Sequence, residues 1–170
     1  PHQCGIGGYG GHAMIALAGG KKITAIDFNS TAPAAARPDM FPLNASGKVA
    51  GNINTFGWLA AGVPGTLAGL ELALTRYGTR SLRDTLAPTI ALCESGAYAP
   101  FFRGADPGAK AAPPGTKIAT ATDQRRNAAL TALFKTLAAR NSGESFYRGD
   151  LAAKIAAAFK QNGGLVTVAD

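Results

Sequence analysis

The sequence predicts an α+β fold, and three observations carry that prediction. Short β-compatible runs cluster near the start, helical periodicity dominates from residue 66 onward, and the two regions do not alternate. Without βαβ alternation a doubly wound parallel sheet is disfavoured. At 170 residues, with 46% hydrophobic and 16% charged side chains, the chain can bury a real core.

The elements follow in order. His12–Ala18 and Lys22–Phe28 are two strand candidates separated by Gly19-Gly20, a two-residue hairpin signal. In the second run Ile23, Ala25 and Asp27 alternate with Thr24, Ile26 and Phe28, as in a strand covered on at least one face. The stretch STAPAAARPDMFPLNASG contains three prolines and no helical period, which predicts an irregular, ordered loop. Residues 49–63 are apolar and interrupted by glycine, compatible with a short strand.

Four helices are expected after that. Over 66–77, Leu67, Leu70, Leu74 and Tyr77 form a stripe, and Gly78 stands where a C-terminal cap belongs. Ser81 and Asp84 resemble an N-cap with an acid in the first turn, opening a helix through Leu82, Leu86 and Ile90 that Pro88 should kink or restart. Residues 97–115 read as a Pro/Gly-rich loop. A helix over about 123–140 buries Leu130, Leu133, Phe134 and Leu137. Another, over about 150–161, carries Leu151, Ile155 and Phe159 and stops at Gly163-Gly164.

Several function classes are weighed and set aside. Gly5-x-Gly7-x-x-Gly10, with Asp27 downstream, spells a dinucleotide fingerprint, but that motif needs a helix after its third glycine. A hairpin follows instead, so the glycines are assigned to backbone conformation or to close backbone approach. The net charge of +7 is spread thinly, with Lys21-Lys22 and Arg125-Arg126 as the densest groups, so no nucleic-acid stripe is expected. His2, His12, Cys4 and Cys93 lack zinc-type spacing, and no metal or cofactor is expected. Cys4 reads better as an inert thiol than as a nucleophile with His12. Asp27 and Asp39 read as turn caps or partners of Arg37 rather than an acid/base couple. The uncharged run 52–70 is broken by Pro64 and glycines, so no membrane span is expected. The chain opens at Pro1 without Met or a signal-like segment and reads as an internal piece of a longer protein.

Specificity of a different order comes from five segments: PHQCGIGGYGG, KKITAIDFNSTAPAAARPDMF, AAGVPGTLAGLELALTRYGT, LRDTLAPTIALCESG and GESFYRGDLAAKIAAAFKQNGGLVTVAD. Together, from Pro1 to Asp170, they resemble the large-subunit part of γ-glutamyltransferases, least closely over 101–117. The resemblance implies an N-terminal nucleophile hydrolase with a four-layer αββα sandwich, of which residues 1–170 form a single large-subunit segment. It implies a precursor that cuts itself, and a threonine at the start of the small subunit that attacks a γ-glutamyl amide. The α-amino group serves as base for its own hydroxyl, so no His or Asp partner is required. The partners implied are that small subunit, the rest of the large subunit and a small amide substrate. The compartment stays open, since relatives are either exported or cytoplasmic.

One departure stands out. The family reads D-F-R-E-x-A-P where this chain reads Asp27-Phe28-Asn29-Ser30-Thr31-Ala32-Pro33. The resemblance assigns that arginine to the α-carboxylate of the glutamyl group, so Asn29 replaces it here. Losing a charge-assisted pair from a desolvated site costs on the order of 2–5 kcal/mol. Altered acyl specificity is therefore expected, with Asn29 and Ser30 as the substrate-binding candidates and no catalytic residue in this segment. Arg37 is a possible replacement cation, and capping of the loop is the structural role open to Asn29 and Ser30. The alternatives are a true γ-glutamyl transferase or glutathione hydrolase, and a non-catalytic relative.

Overall fold

The computed structural model describes residues 10–16, 20, 23–95 and 121–170. Cys4, His2, the glycines before Gly10 and the expected loop 97–115 lie outside the described residues. Two compact units divide the chain, Pro1–Tyr77 with Gly143–Asp170, and Gly78–Ser142.

In the first unit β1 (His12–Ala16) and β2 (Ile23–Asp27) pair antiparallel. The register sets His12 opposite Asp27 and Ala16 opposite Ile23. Ala13, Ile15, Thr24 and Ile26 face the covered side, and Ile26 is buried. The other face carries His12, Met14, Ile23 and Asp27 and is exposed. The alternation expected of the hairpin is thus present.

No strand forms over residues 49–63. Two 3-10 turns, Ala50–Asn52 and Trp58–Ala60, take its place, with isolated bridges at Leu43–Val49 and Thr31–Val63. The cause is local: Gly51, Asn52 and Gly57 have φ of 65°, 51° and 92°, left-handed conformations that an extended strand cannot hold.

Helix α1 (Thr66–Tyr77) forms as expected, but Leu70 is 49% exposed and does not lie on its buried face. Thr66 and Gly69 are the buried residues instead. A Cβ on Gly69 would run into the Phe28 ring, so the helix meets the end of β2 through a small-residue face rather than a leucine stripe. The short α2 (Glu144–Arg148) and the longer α3 (Asp150–Gln161) follow. Phe159 of α3 is buried edge-to-face against Trp58, with ring centroids 5.1 Å apart. The end of α3 is a Schellman cap: Gly163 has φ of 75°, and Gly164 N–H donates to Phe159 O at 2.8 Å.

In the second unit α4 (Leu82–Glu94) packs on α5 (Ala121–Arg140), with Cys93 and Leu137 fully buried. The capping box is complete: Asp84 N–H donates to Ser81 Oγ at 3.1 Å and Ser81 N–H reaches the Asp84 carboxylate. The helix does not restart at Pro88. Asp84, four residues earlier, is exposed like Pro88 itself, so the carbonyl that proline leaves without a donor stands on the watered face. Arg83 ties the pair together, donating through Nε to Ala138 O at 3.0 Å and through Nη2 to Ala139 O at 3.2 Å. Lys135 and Glu94 form a 2.6 Å ion pair.

Candidate functional site

The candidate substrate-binding residues sit where β2 becomes loop. Phe28 extends the ladder by one residue, exchanging backbone hydrogen bonds with Gly11 at 3.2 and 2.9 Å. Beyond it the strand pairing ends, and side chains take over the satisfaction of backbone donors. The Asp27 carboxylate accepts from Asn29 N–H at 3.0 Å and pairs with His12 Nε2 at 3.2 Å through the same oxygen, Oδ1. Asn29 Oδ1 accepts from Ser30 N–H at 2.9 Å. Thr31 then re-enters pairing through its bridge to Val63, with bonds of 3.3 and 2.9 Å.

Glycines hold this short segment from two sides. A Cβ on Gly10 would overlap the Asn29–Ser30 backbone, and one on Gly65 would overlap Phe28 O and lie 2.9 Å from Asn29 O. Close backbone-to-backbone approach is therefore a use of the glycine at the end of the GxGxxG string. The positions of Asn29 and Ser30 are fixed by main-chain contacts on both flanks.

Both candidates serve as turn elements, and both keep hydrogen-bonding capacity. Asn29 uses its amide oxygen as a cap, so its nitrogen, with two N–H donors, is the group left to offer. Ser30 lines a cleft of ≈ 330 Å³ with Thr55, Gly57, Ala60, Ala61 and Gly62. The third candidate, Arg37, is not among those lining residues; its Nε faces Asp39 Oδ1 at 3.5 Å, with both side chains largely exposed. Asp39 and Asp27 thus fill the pairing and capping roles expected of them.

The walls of the cleft are anchored from elsewhere in the same unit. Trp58, in the same turn as Ala60, meets Phe159 edge-to-face. At the start of α1, Ala68 N–H donates to the Tyr147 hydroxyl at 3.0 Å, and Gly143 N–H donates to Glu71 Oε1 at 2.8 Å. Burial pushes the Tyr147 phenol above its ordinary 10.0, with the Ala68 amide pulling the other way, so it stays neutral at physiological pH. The loop after Ser30 is pinned by Asp170, whose carboxylate accepts from Ala34 N–H and Thr167 N–H, each at 2.7 Å. Those bonds hold its carboxyl below the usual 3.8.

Sequence reasoning missed the His12–Asp27 pair, although its signal was present: the hairpin expected from Gly19-Gly20 would set residue 12 opposite 27, the register found. Nothing in the sequence signals the Tyr147, Glu71 and Asp170 anchors, which join residues more than 70 positions apart. Among the described residues, no group of three or more His, Cys, Asp or Glu could hold a metal ion, and no helix is long and apolar enough to cross a membrane.

Comparison with known proteins adds a context that geometry alone lacks. The sequence model of the Gamma-glutamyltranspeptidase family matches residues 1–170. A glutathione hydrolase proenzyme of Pseudomonas sp. (strain A14) is 34% identical, aligned over all of this chain and 31% of its own length. An acylase ACY 1 proenzyme of Pseudomonas sp. (strain V22) is 32% identical, over all of this chain and 33% of its own length. The crystal structure of Helicobacter pylori gamma-glutamyltranspeptidase superposes on 96% of this chain and 50% of its own, with a TM-score of 0.66 and 32% identity. The chain thus spans about a third of the length of the curated relatives it matches.

Proposed function

This chain belongs to the gamma-glutamyltranspeptidase family, in its large-subunit region, and on that premise we propose that it is one large-subunit segment of an autoprocessed amidohydrolase with altered acyl specificity. The observation that carries it is the neutral Asn29 in Asp27-Phe28-Asn29-Ser30-Thr31-Ala32-Pro33, where the resemblance implies a carboxylate-binding arginine.

In the reaction proposed, the nucleophile is a threonine at the start of a small subunit. Its α-amine takes the proton of its own hydroxyl as the oxygen bonds to the amide carbonyl carbon. The tetrahedral adduct collapses by breaking the C–N bond, the amine leaves with a proton, and an acyl–threonine ester remains. Water or an acceptor amine then attacks the ester and restores the hydroxyl. This segment contributes no reacting atom; its part is to hold the acyl group. A cation at position 29 would select a carboxylate, whereas Asn29 donates neutral hydrogen bonds. Arg37 pairs with Asp39 on an exposed part of the loop, which supports Asn29 rather than Arg37 as the selecting group. The acylase among the relatives supports amide cleavage in this family beyond glutathione hydrolysis.

The same reading assigns the hairpin to one of the two sheets of a four-layer αββα sandwich. The exposed apolar face of the hairpin, with Met14 77% and Ile23 61% exposed, supports a covering layer from another segment.

The test is turnover of a γ-glutamyl anilide by the complete protein that carries this chain, beside its Asn29→Arg variant. Weak wild-type activity that arginine raises by roughly 30-fold or more is expected, the lower bound of the pair's worth. Strong wild-type activity with no gain from arginine would overturn the proposal and favour a glutathione hydrolase.

A further inference from the structure

The cleft beside Asn29 has a chemical character of its own. Its six lining residues, Ser30, Thr55, Gly57, Ala60, Ala61 and Gly62, include no ionisable side chain. Its volume of ≈ 330 Å³ lies at the small end of the range for ligand pockets, about 300–1,000 Å³. Two hydroxyls, of Ser30 and Thr55, are its polar side-chain groups. Among the described residues neither has a hydrogen-bond partner within the protein. By contrast Ser46, Ser81, Thr85, Thr136 and Thr167 all spend their hydroxyls on local bonds. Gly62 and the Thr31–Val63 bridge bound the cleft next to Ser30, where a Cβ on Gly62 would lie 3.5 Å from Ser30 Cβ and 2.8 Å from Thr31 O.

We infer that this cleft binds the distal part of an uncharged acyl group that ends in a small hydrogen-bonding function, a hydroxyl or a carboxamide. The inference rests on the reading of Asn29 as the acyl-selecting residue and goes further by naming what is accepted. A free carboxylate or ammonium would find no countercharge on its lining residues. A terminal hydroxyl or carboxamide finds two hydroxyls that both donate and accept. Ala60 and Ala61 leave room for a short aliphatic chain and for nothing bulkier than that volume allows.

The test compares four anilides with the complete, self-cleaved protein: acetyl, butyryl, 4-hydroxybutyryl and γ-glutamyl. The wild type is expected to favour 4-hydroxybutyryl over butyryl, and both over γ-glutamyl. Thr55→Val, which keeps the volume and removes one hydroxyl, should lower the hydroxybutyryl-to-butyryl ratio of kcat/KM about three- to tenfold, the worth of one hydrogen bond. Ala61→Leu should lower both four-carbon substrates relative to acetyl, which serves as the internal measure of a folded site. Should Ala61→Leu lose all activity, the Thr55→Val ratio decides alone. Preference for uncharged acyl groups with ratios unmoved by these variants overturns the cleft assignment and leaves the Asn29 reading standing. Preference for γ-glutamyl in the wild type, or no turnover of any anilide, overturns both.

Discussion

Asp27 accepts the backbone N–H of Asn29 through the same carboxylate oxygen, Oδ1, that meets His12 Nε2, at 3.0 and 3.2 Å. The residue that ends β2 therefore sets the direction in which the next residues leave the sheet. Asp27→Ala removes both contacts at an exposed position, so its cost in stability should stay near 1 kcal/mol. Its effect on the site should be larger. In the complete protein KM for the preferred anilide should rise several-fold while Tm moves only a few degrees. An unchanged KM would show that the glycine contacts alone hold the turn.

Gly65 carries the sharper constraint. A side chain there meets Phe28 O and Asn29 O, backbone atoms that cannot swing aside. Gly65→Ala should destabilise the protein by about 1–3 kcal/mol, the usual penalty of overpacking. A denaturant midpoint lowered at constant m-value is the measurement, and an unchanged midpoint would contradict the described approach of the two segments.

At the start of α4, Ser81→Ala removes the hydroxyl that caps Asp84 N–H and binds its carboxylate at 2.7 Å, a loss of about 1 kcal/mol. These bonds hold the Asp84 carboxyl below its ordinary 3.8. A depressed folded value means stability that is present above 3.8 and is lost as pH falls through the lower, folded value. Unfolding profiles of wild type and Ser81→Ala should accordingly differ more above that window than below it, where only the cap on the Asp84 N–H separates them. A difference independent of pH would remove Asp84 from the explanation.

Asp170 acts in the same direction on the loop after Ser30. Asp170→Ala should leave the Ala34 and Thr167 amides without their acceptor, and amide hydrogen exchange at both should quicken together. Because the carboxyl lies below 3.8, the same acceleration should appear in the wild type only well into acid, as the group takes up its proton. Exchange that stays slow at Ala34 in the variant would mean that Pro33, buried beside it, holds the loop unaided.

Where local chemistry decides the outcome, the sequence was readable. The Gly19-Gly20 spacing gives the register of β1 on β2, Ser81 and Asp84 give the start of α4, and Gly163 gives the end of α3. Each rests on a dihedral preference or on a bond between near neighbours, so no distant residue can overrule it. The 49–63 stretch escaped because its apolar composition suits a strand while its left-handed residues do not. Leu70 escaped because helical period marks a stripe without saying which neighbour arrives; Phe28 arrived at Gly69, and the small side of the helix was buried.

The site divides along the same line. By itself the sequence determined the family, through motifs that need only be spelled, and the same resemblance is what proposes Asn29 in the place of an arginine. The tertiary structure alone decided that Gly10 and Gly65 press on the backbone at Asn29, that Asn29 turns its amide oxygen back onto Ser30, and that Ser30 faces a neutral cleft with Thr55. Apart from the Asn29–Ser30 bond between neighbours, those relationships join residues far apart in the chain, and they depend on which surfaces exclude water from one another. That choice is made by the packed core as a whole rather than by the residues that come to share the site.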